Sequence, residues 1–174
     1  CSDDPPKYFK AVSVVKYDEF TDKLVFALKY YDRTDIATSL AKMMAQKIGS
    51  FKGEVDYVLC VPSHKDRLKK RGYNQAALLA NSISKLIDKQ FLPSVLSKIK
   101  ETTSQSGLKK EDRIKNVKGS FIIDKSQKVL VFRKKILLVD DVITTGATIN
   151  ECCKQLLKAG VKKIYVVTFA KTCL

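Results

Sequence analysis

A strand, a helix and a second strand follow one another over residues 136–169, and this order constrains the fold most strongly. The run ILLV (136–139) has the aliphatic content of a strand buried on both faces. Apolar residues then recur at helical spacing from Ile149 to Leu157, and Gly160 is suited to end that helix. A second apolar run, KIYVVTF (163–169), follows. Such a unit indicates parallel strands joined by a right-handed crossover.

The rest of the chain repeats these two kinds of segment. We predict further strands at VDYVLCV (55–61), PSVLSKI (93–99), GSFII (119–123) and KVLVF (128–132), and helices at 74–89 and twice within 17–48. The pattern predicts an α/β fold with a mostly parallel, twisted sheet flanked by helices. We expect a core at residues 51–174 and an N-terminal helical region at residues 1–50. The polar stretch 100–113 predicts a long mobile loop.

Length and composition limit the class of protein. The 174 residues are enough for one domain, and no apolar run approaches the roughly 20 residues that span a bilayer. The first residues carry no secretory pattern, and the five cysteines contain no C-x-x-C pair. We therefore expect reduced thiols and a cytoplasmic location. No Ser-His-Asp pattern accompanies the single histidine, His64, which disfavours a hydrolase.

The charge of the chain points to an anionic partner. The formal net charge is +15. An excess of this size is typical of proteins that bind nucleic acid, acidic lipid or a heavily phosphorylated metabolite. The alternative is a basic surface that is only solvated.

Two adjacent acids and a threonine-rich turn occur in VDDVITTGAT (139–148). In an open α/β sheet, ligands bind beyond the carboxyl ends of strands, and a helix that begins there directs its first N–H groups at a phosphate. Carboxylates nearby accept hydrogen bonds from sugar hydroxyls or hold a divalent cation through water. The stretch therefore predicts a sugar-phosphate site. Alternatively, Asp140 and Asp141 only shape a turn, and Thr148 forms a capping box with Glu151.

This stretch resembles the phosphoribosyl pyrophosphate motif of type I phosphoribosyltransferases. VPSHKDRLKKRGYNQAALLA (61–80) is similar to a characteristic segment of the ComF-type competence family, and TTSQSGLKKEDRIKNVKGSF (102–121) resembles another. LVFALKY (24–30) resembles the helix that precedes the family's core. The resemblance implies a type I phosphoribosyltransferase-like fold with a small hood that grips the acceptor, built from residues 1–50 and the C-terminal tail 170–174.

The resemblance also implies roles for individual residues. The implied catalytic residues are Asp140, Asp141, Lys100 and Arg113, with both aspartates anchoring Mg²⁺ through water. The substrate phosphate would be bound by Thr144, Thr145, Gly146, Ala147 and Thr148. The pyrophosphate would be bound by Ser63, His64, Lys65, Arg67 and Arg71. Magnesium is the implied cofactor. Family members usually open with a four-cysteine zinc module, of which this chain has at most Cys1, so we expect no zinc.

Several alternatives stay open. His64 is either a hydrogen-bonding residue of the loop or a general base, and Tyr73 either stacks on a base or packs under the loop. The implied partners are phosphoribosyl pyrophosphate, single-stranded DNA, and other competence or recombination proteins. Lys69, Lys70, Lys109 and Lys110 are the candidates for DNA contact, or else are solvated charges. Scattered aromatic residues indicate no stacking platform for DNA.

Three functions compete on this basis. The first is an enzyme that transfers a phosphoribosyl group to an acceptor the sequence does not identify. The second is a non-catalytic phosphoribosyl or nucleotide sensor that binds single-stranded DNA through its basic surface. The third is an interaction scaffold, which would leave the acid and threonine array unexplained.

Overall fold

The computed structural model describes residues 5–30, 34–101 and 110–172, and five of its strands form one parallel sheet. The sheet order is β1-β7-β6-β2-β3, and each neighbouring pair is parallel. The predicted parallel α/β sheet is therefore confirmed. The strands are β1 (Lys10–Lys16), β2 (Tyr57–Cys60), β3 (Gln90–Phe91), β4 (Leu96–Lys98), β5 (Phe121–Ile123), β6 (Lys135–Ile143) and β7 (Lys163–Lys171).

Helices cover both faces of the sheet. One face packs with α1, α2 and α4 in a first apolar core. The other packs with α5, α6, α7 and the two-stranded β4–β5 sheet in a second. The helices are α1 (Glu19–Tyr30), α2 (Thr34–Ile48), α3 (Lys65–Arg71), α4 (Gln75–Leu86), α5 (Lys110–Val117), α6 (Lys128–Val131) and α7 (Ala147–Lys158). None of them, within the ranges described, has the length and apolar character to cross a membrane.

Strand β6 shows why its sequence is apolar without interruption. Leu137 and Val139 lie in the first core, whereas Ile136 and Leu138 lie in the second. Side chains of a strand alternate between the two faces of a sheet, and here both faces are covered. The ILLV run therefore has no position that could be polar.

Two of the predicted strands have a different place from the one expected. The segments 93–99 and 119–123 do contain strands, but β4 and β5 pair antiparallel in a sheet of their own. The prediction of a strand at 128–132 is wrong, because residues Lys128–Val131 form helix α6. Of that run only Val131 is buried, and Val129 is 76% exposed. A short apolar run does not by itself distinguish a strand from a helix.

The N-terminal region contributes to the main sheet. Strand β1, which the sequence reading missed, pairs with β7 from Lys10↔Tyr165 to Lys16↔Lys171. The two helices predicted within 17–48 are present, and both supply side chains to the first core. Strand β1 and helices α1 and α2 therefore pack against elements of the predicted core. The prediction of a loop was also wrong at residues 110–113, because α5 begins at Lys110. The part of that predicted loop at residues 102–109 lies outside the described ranges.

Candidate functional site

The predicted phosphate and pyrophosphate segments lie side by side at the carboxyl edge, the edge of the sheet where its strands end. β2 and β6 are neighbours, and the Val61 N–H donates to the Val139 carbonyl at 2.9 Å. The segment after β2 leads into α3, and the segment after β6 leads into α7. Ligands of open α/β sheets bind at such an edge.

The two aspartates lie within β6 rather than after it, and both are buried, with 8% and 6% of their surface exposed. Asp140 Oδ1 accepts from the Asp141 N–H at 2.9 Å, and Asp141 Oδ1 accepts from the Val142 N–H at 2.9 Å. As consecutive strand residues they point to opposite faces of the sheet. Asp140 acts electrostatically on Lys98 and Asp141 acts on Tyr17, which agrees with this division.

The turn after β6 joins the strand to the N-terminus of α7 through a glycine in the left-handed region. Gly146 is the N-cap of α7 and has a φ of 76°, a conformation that side chains disfavour. Thr145 Oγ1 accepts from the Ala147 N–H at 3.4 Å, and the Asn150 N–H donates to the Gly146 carbonyl at 2.8 Å. The first N–H groups of a helix have no partner within the helix and attract anions. Thr144 and Thr148 flank this turn and are half-buried.

The capping box between Thr148 and Glu151, which we considered as an alternative, is not formed. Gly146 is the N-cap, so Thr148 already lies inside α7. Glu151 instead accepts hydrogen bonds from the Gly119 N–H and from Gln155 Nε2, both at 3.1 Å. This buried carboxylate fixes α7 to the turn before β5.

The segment after β2 is held by Asn74, a residue that the sequence analysis did not single out. Asn74 Nδ2 donates to the Val61 carbonyl at 3.0 Å, and Ser63 Oγ donates to Asn74 Oδ1 at 3.2 Å. The same Oδ1 accepts from the Ala76 N–H at 3.1 Å and caps α4. Asn in R-G-Y-N-Q, directly before a helical pattern, was the N-cap signal that could have identified it.

His64 and Tyr73 have structural contacts. His64 is 5% exposed and caps α3, where its Nδ1 accepts from the Asp66 N–H at 3.4 Å. This is the hydrogen-bonding role of the two that we considered. The Tyr73 hydroxyl donates to the Leu28 carbonyl at 2.6 Å, so this ring packs and connects the segment to α1.

The cations of α3 differ in their exposure. Arg67 and Arg71 are half-buried, and Arg71 Nη1 donates to Gln75 Oε1 at 3.3 Å. Lys65, Lys69 and Lys70 are exposed. The two arginines are therefore oriented by the fold, whereas the three lysines extend into solvent.

Lys98 is a cation of the site that the sequence analysis missed. It pairs with Phe121 in the antiparallel β4–β5 sheet, and its Nζ lies 5.6 Å from the centroid of that ring. Burial, and secondly the charge of Arg67, lower the pKa of the Lys98 ammonium, while Cys152 and Asp140 act in the opposite direction. Lys98 thus lies among groups of α3, α7 and β6. No motif identified Lys98, because pairing of β4 with β5 brings it to the site.

The other predicted catalytic and DNA-binding cations are less informative. Lys100 is exposed, and its Nζ lies 3.6 Å from the point that a Cβ on Gly119 would occupy. Arg113 and Lys110 lie in α5, and their side chains are outside what the structure describes. Lys109 lies wholly outside the described residues. Their assigned roles remain predictions.

Tyr17 is a second residue that the sequence analysis missed. It follows β1 at the carboxyl edge, and its hydroxyl donates to Asp22 Oδ1. Burial, the bond to Asp22 and the charges of Asp22 and Asp141 raise the pKa of Tyr17 to about 12. The Tyr17 hydroxyl beside Asp141 therefore stays protonated well above neutral pH.

The donor set at the carboxyl edge limits how a metal could bind. Among the described residues, no group of three or more His, Cys, Asp and Glu side chains could hold a metal ion. Asp140 and Asp141 supply at most two carboxylates. Mg²⁺ commonly binds through one or two carboxylates, substrate phosphates and several waters, so these residues fit Mg²⁺ only together with a phosphorylated substrate.

The three cysteines within the described ranges supply no thiolate to this site. Cys60, Cys152 and Cys153 are buried, and burial is the main cause that raises the pKa of Cys60 and of Cys153 to about 12. Burial also raises the pKa of Cys152. A nucleophilic cysteine needs a thiolate at neutral pH, which these thiols do not supply.

Comparison with known proteins agrees with this geometry. A family model for the phosphoribosyl transferase domain matches residues 27–172. Competence protein F of Haemophilus influenzae is 33% identical over 176 residues, which cover 98% of this chain and 76% of that protein. The chain is a ComF-type member of the phosphoribosyltransferase family. The DNA utilization protein YhgH of Escherichia coli is 27% identical over 177 residues, or 99% of this chain and 76% of that relative.

A solved structure shares the fold of this ComF-type chain. The crystal structure of a hypothetical protein from Neisseria gonorrhoeae with bound ppGpp superposes with a TM-score of 0.51 at 14% identity. The match covers 80% of this chain and 69% of that one. At this level of identity the likeness concerns the fold alone.

Proposed function

We propose that this chain binds phosphoribosyl pyrophosphate with Mg²⁺ and transfers its phosphoribosyl group, as a ComF-type phosphoribosyltransferase linked to natural transformation. One observation carries the proposal: two buried carboxylates of β6 lie directly before the Gly146 turn at the carboxyl edge of a parallel sheet. A sugar phosphate needs hydrogen-bond acceptors for its hydroxyls and N–H donors for its phosphate within a few ångströms of each other.

The turn residues bind the 5′-phosphate in this proposal. The first N–H groups of α7 and the hydroxyls of Thr144, Thr145 and Thr148 donate to phosphate oxygens. Gly146, with its positive φ, lets the backbone approach the anion without a Cβ. Asp140 and Asp141, which point to opposite faces of β6, accept hydrogen bonds from different ribose hydroxyls, which orients the anomeric carbon.

Cations beside the neighbouring segment bind the leaving pyrophosphate. Arg67, Arg71 and Lys98 are half-buried, so their charges act through a medium that screens them less than water. Pyrophosphate accumulates negative charge as the C1–oxygen bond breaks, and prearranged cations stabilise that charge. Asp140 and Asp141 would hold Mg²⁺ through water, and the ion would supply further neutralisation of the leaving group's charge.

A thermal-shift assay tests the binding site. Phosphoribosyl pyrophosphate with Mg²⁺ should raise the melting temperature, and the double substitution Asp140→Asn with Asp141→Asn should abolish the increase. Asp88→Asn is the matched control, because Asp88 is exposed and Asn tolerates its φ of 53°. An undiminished shift in the double variant would refute the site assignment.

A turnover assay separates catalysis from sensing. Pyrophosphate release is measured with a panel of nitrogenous bases and amines as acceptors. Release that depends on one acceptor and is lost in Asp140→Asn supports the enzyme. Binding of phosphoribosyl pyrophosphate without release by any acceptor favours the non-catalytic sensor.

A second candidate function is the binding of single-stranded DNA. The exposed lysines Lys69 and Lys70 on α3, together with the net charge of +15, support it. Two relatives carry the words competence and DNA utilization in their names. Binding dominated by phosphate contacts should weaken steeply between about 50 and 200 mM salt and should survive the double aspartate substitution. Binding that does not change with salt would contradict this candidate.

A further inference from the structure

The opposite end of the sheet, where its strands begin, carries exposed aromatic rings among cations. We call this the amino-edge surface and define it by Phe9, Phe132, Lys10, Arg133, Lys134, Lys162 and Lys163. None of these residues belongs to the predicted DNA-contact set or to the site at the carboxyl edge.

Backbone hydrogen bonds bring the strand starts that carry these residues together at one end of the sheet. The Phe9 N–H donates to the Ile164 carbonyl, next to Lys163, at 2.8 Å. The Lys162 N–H donates to the Lys134 carbonyl at 2.8 Å, and the Arg133 N–H donates to the Gly160 carbonyl at 2.8 Å. The starts of β1, β7 and β6 are therefore adjacent.

Each ring is exposed and has a cation beside it. Phe9 is 63% exposed, and Lys163 Nζ lies 4.2 Å from its centroid. Phe132 is 56% exposed, and the Arg133 guanidinium carbon lies 5.8 Å from its centroid. Phe9 also makes an edge contact with Tyr165, which is fully buried, with ring centroids 5.6 Å apart. The Phe9 ring is thus held by an edge contact with Tyr165 and by the Lys163 ammonium, which a stacking base would have to displace.

The acidic residues nearby are already engaged. Glu54 accepts from the Tyr165 hydroxyl at 2.6 Å and lies 3.8 Å from Lys135 Nζ. Asp56 Oδ2 accepts from the Lys135 N–H at 2.8 Å. The five cations of the amino-edge surface therefore outnumber the two acids beside it, and the surface is positive.

We propose that the amino-edge surface binds single-stranded DNA, with bases stacked on Phe9 and Phe132 and phosphates held by the surrounding cations. The proposal rests on the second candidate function and assigns that function a place in the fold. Single-stranded nucleic acid is bound by aromatic rings that stack with bases and by a positive groove that follows the backbone. In a duplex the base faces are stacked on each other and cannot reach such rings.

The amino-edge surface and the phosphoribosyl site do not overlap. Strand β7 has nine residues. At about 3.3 Å per residue the two edges of the sheet lie roughly 26 Å apart. Both ligands should therefore bind at the same time, and phosphoribosyl pyrophosphate should not displace DNA.

Fluorescence anisotropy at low salt tests the proposal. The probe is a labelled oligothymidine of about 20 nucleotides, a length that spans one or more typical single-strand sites. The variants are Phe9→Ala, Phe132→Ala and Arg133→Gln with Lys163→Gln. Each lost ring should weaken binding roughly 5- to 150-fold. Phe132→Trp should restore it, because tryptophan also stacks. Phe20→Ala is the matched control, since Phe20 is 70% exposed on α1, away from this surface.

The outcomes separate this proposal from the candidate function on which it rests. If the unmodified chain binds no oligothymidine, both fail. If it binds DNA and the ring variants bind equally well, the proposal is overturned while the candidate function stands. Loss of binding in Lys69→Gln with Lys70→Gln alone would place DNA on α3 instead. Equal loss of affinity for duplex and single strand would exclude stacking. The thermal shift with phosphoribosyl pyrophosphate shows that each variant is folded.

Discussion

Replacement of Lys98 by Gln is the perturbation that most directly tests how the site divides its ligand. Lys98 is half-buried on β4, and its Nζ lies 5.6 Å from the centroid of the Phe121 ring. The charges of Arg67 and Asp140 act on its ammonium. A hydrogen bond between an ammonium and a phosphate oxygen contributes about 1.5–3 kcal/mol, so its loss should weaken binding roughly 10- to 150-fold. Gln retains a hydrogen-bonding side chain of similar reach without the charge.

Three ligands reveal which part of the substrate Lys98 contacts. Phosphoribosyl pyrophosphate and pyrophosphate, each with Mg²⁺, should bind more weakly to Lys98→Gln, whereas ribose 5-phosphate should bind unchanged. At a ligand concentration of 100 Kd, binding adds about 2.7 kcal/mol to the unfolding free energy, and a tenfold weaker Kd reduces this to about 1.4 kcal/mol. For a chain of 174 residues the melting-temperature increase should fall from about 5–11 °C to about 3–6 °C.

Two further lysine variants complete the test. Lys118→Gln removes an exposed charge near the start of β5 and should leave all three shifts unchanged. Lys100→Gln removes the cation that the sequence motif favoured. If Lys98→Gln weakens ribose 5-phosphate as much as pyrophosphate, or leaves pyrophosphate binding intact, Lys98 does not bind the leaving group. In that case its charge only compensates Asp140.

Three other predictions concern stability and reactivity. Gly146→Ala should lower the unfolding free energy by about 1–2 kcal/mol, because φ there is 76°, while Gly53→Ala, where a Cβ meets nothing within 4 Å, should not; urea denaturation measures both. Tyr165→Phe should remove one pH dependence of stability and reduce a second, because the charges of Lys135, Lys163 and Lys10 also lower the pKa of Glu54. Burial and the bond to Glu54 raise the pKa of Tyr165 to about 12, so native stability falls as pH rises from 10.0 through that value. The same bond lowers the pKa of Glu54, so stability also falls as pH drops through the lowered pKa of that carboxyl group. Cys60, Cys152 and Cys153 should react with an aromatic disulfide reagent only after unfolding, which absorbance can follow in a Cys1→Ser, Cys173→Ser background.

The sequence predicted the layers of the fold better than its edges. The ILLV run and the helical stripe behind it specify a strand buried on both faces and a helix that covers one of them, and β6 and α7 have these places. Strand β1 was missed because most of its residues are only partly buried, so its sequence lacks the apolar run of a central strand. The segment at 128–132 failed for the opposite reason: apolar side chains there are exposed on α6.

The site was predictable where one segment supplies it and unpredictable where several do. Asp140, Gly146 and Thr148 come from one continuous stretch whose order along the chain fixes their order in space. Lys98 reaches the carboxyl edge through the pairing of β4 with β5, and Tyr17 reaches it at the end of β1. Both pairings depend on residues that are distant in sequence. Side chains that reach a site by long-range pairing leave no local pattern.

Asp140 and Asp141 are adjacent in sequence but opposite in orientation, and a double-mutant cycle can detect the difference. Asp140 shares its surroundings with Lys98 and Cys152, whereas Asp141 acts on Tyr17. If they contact separate parts of the ligand, the losses of phosphoribosyl pyrophosphate binding in Asp140→Asn and Asp141→Asn should add within about 0.5 kcal/mol, as for independent sites. A double variant that binds no more weakly than the worse single variant would show that both carboxylates hold one group, and that alternation along β6 does not separate their roles.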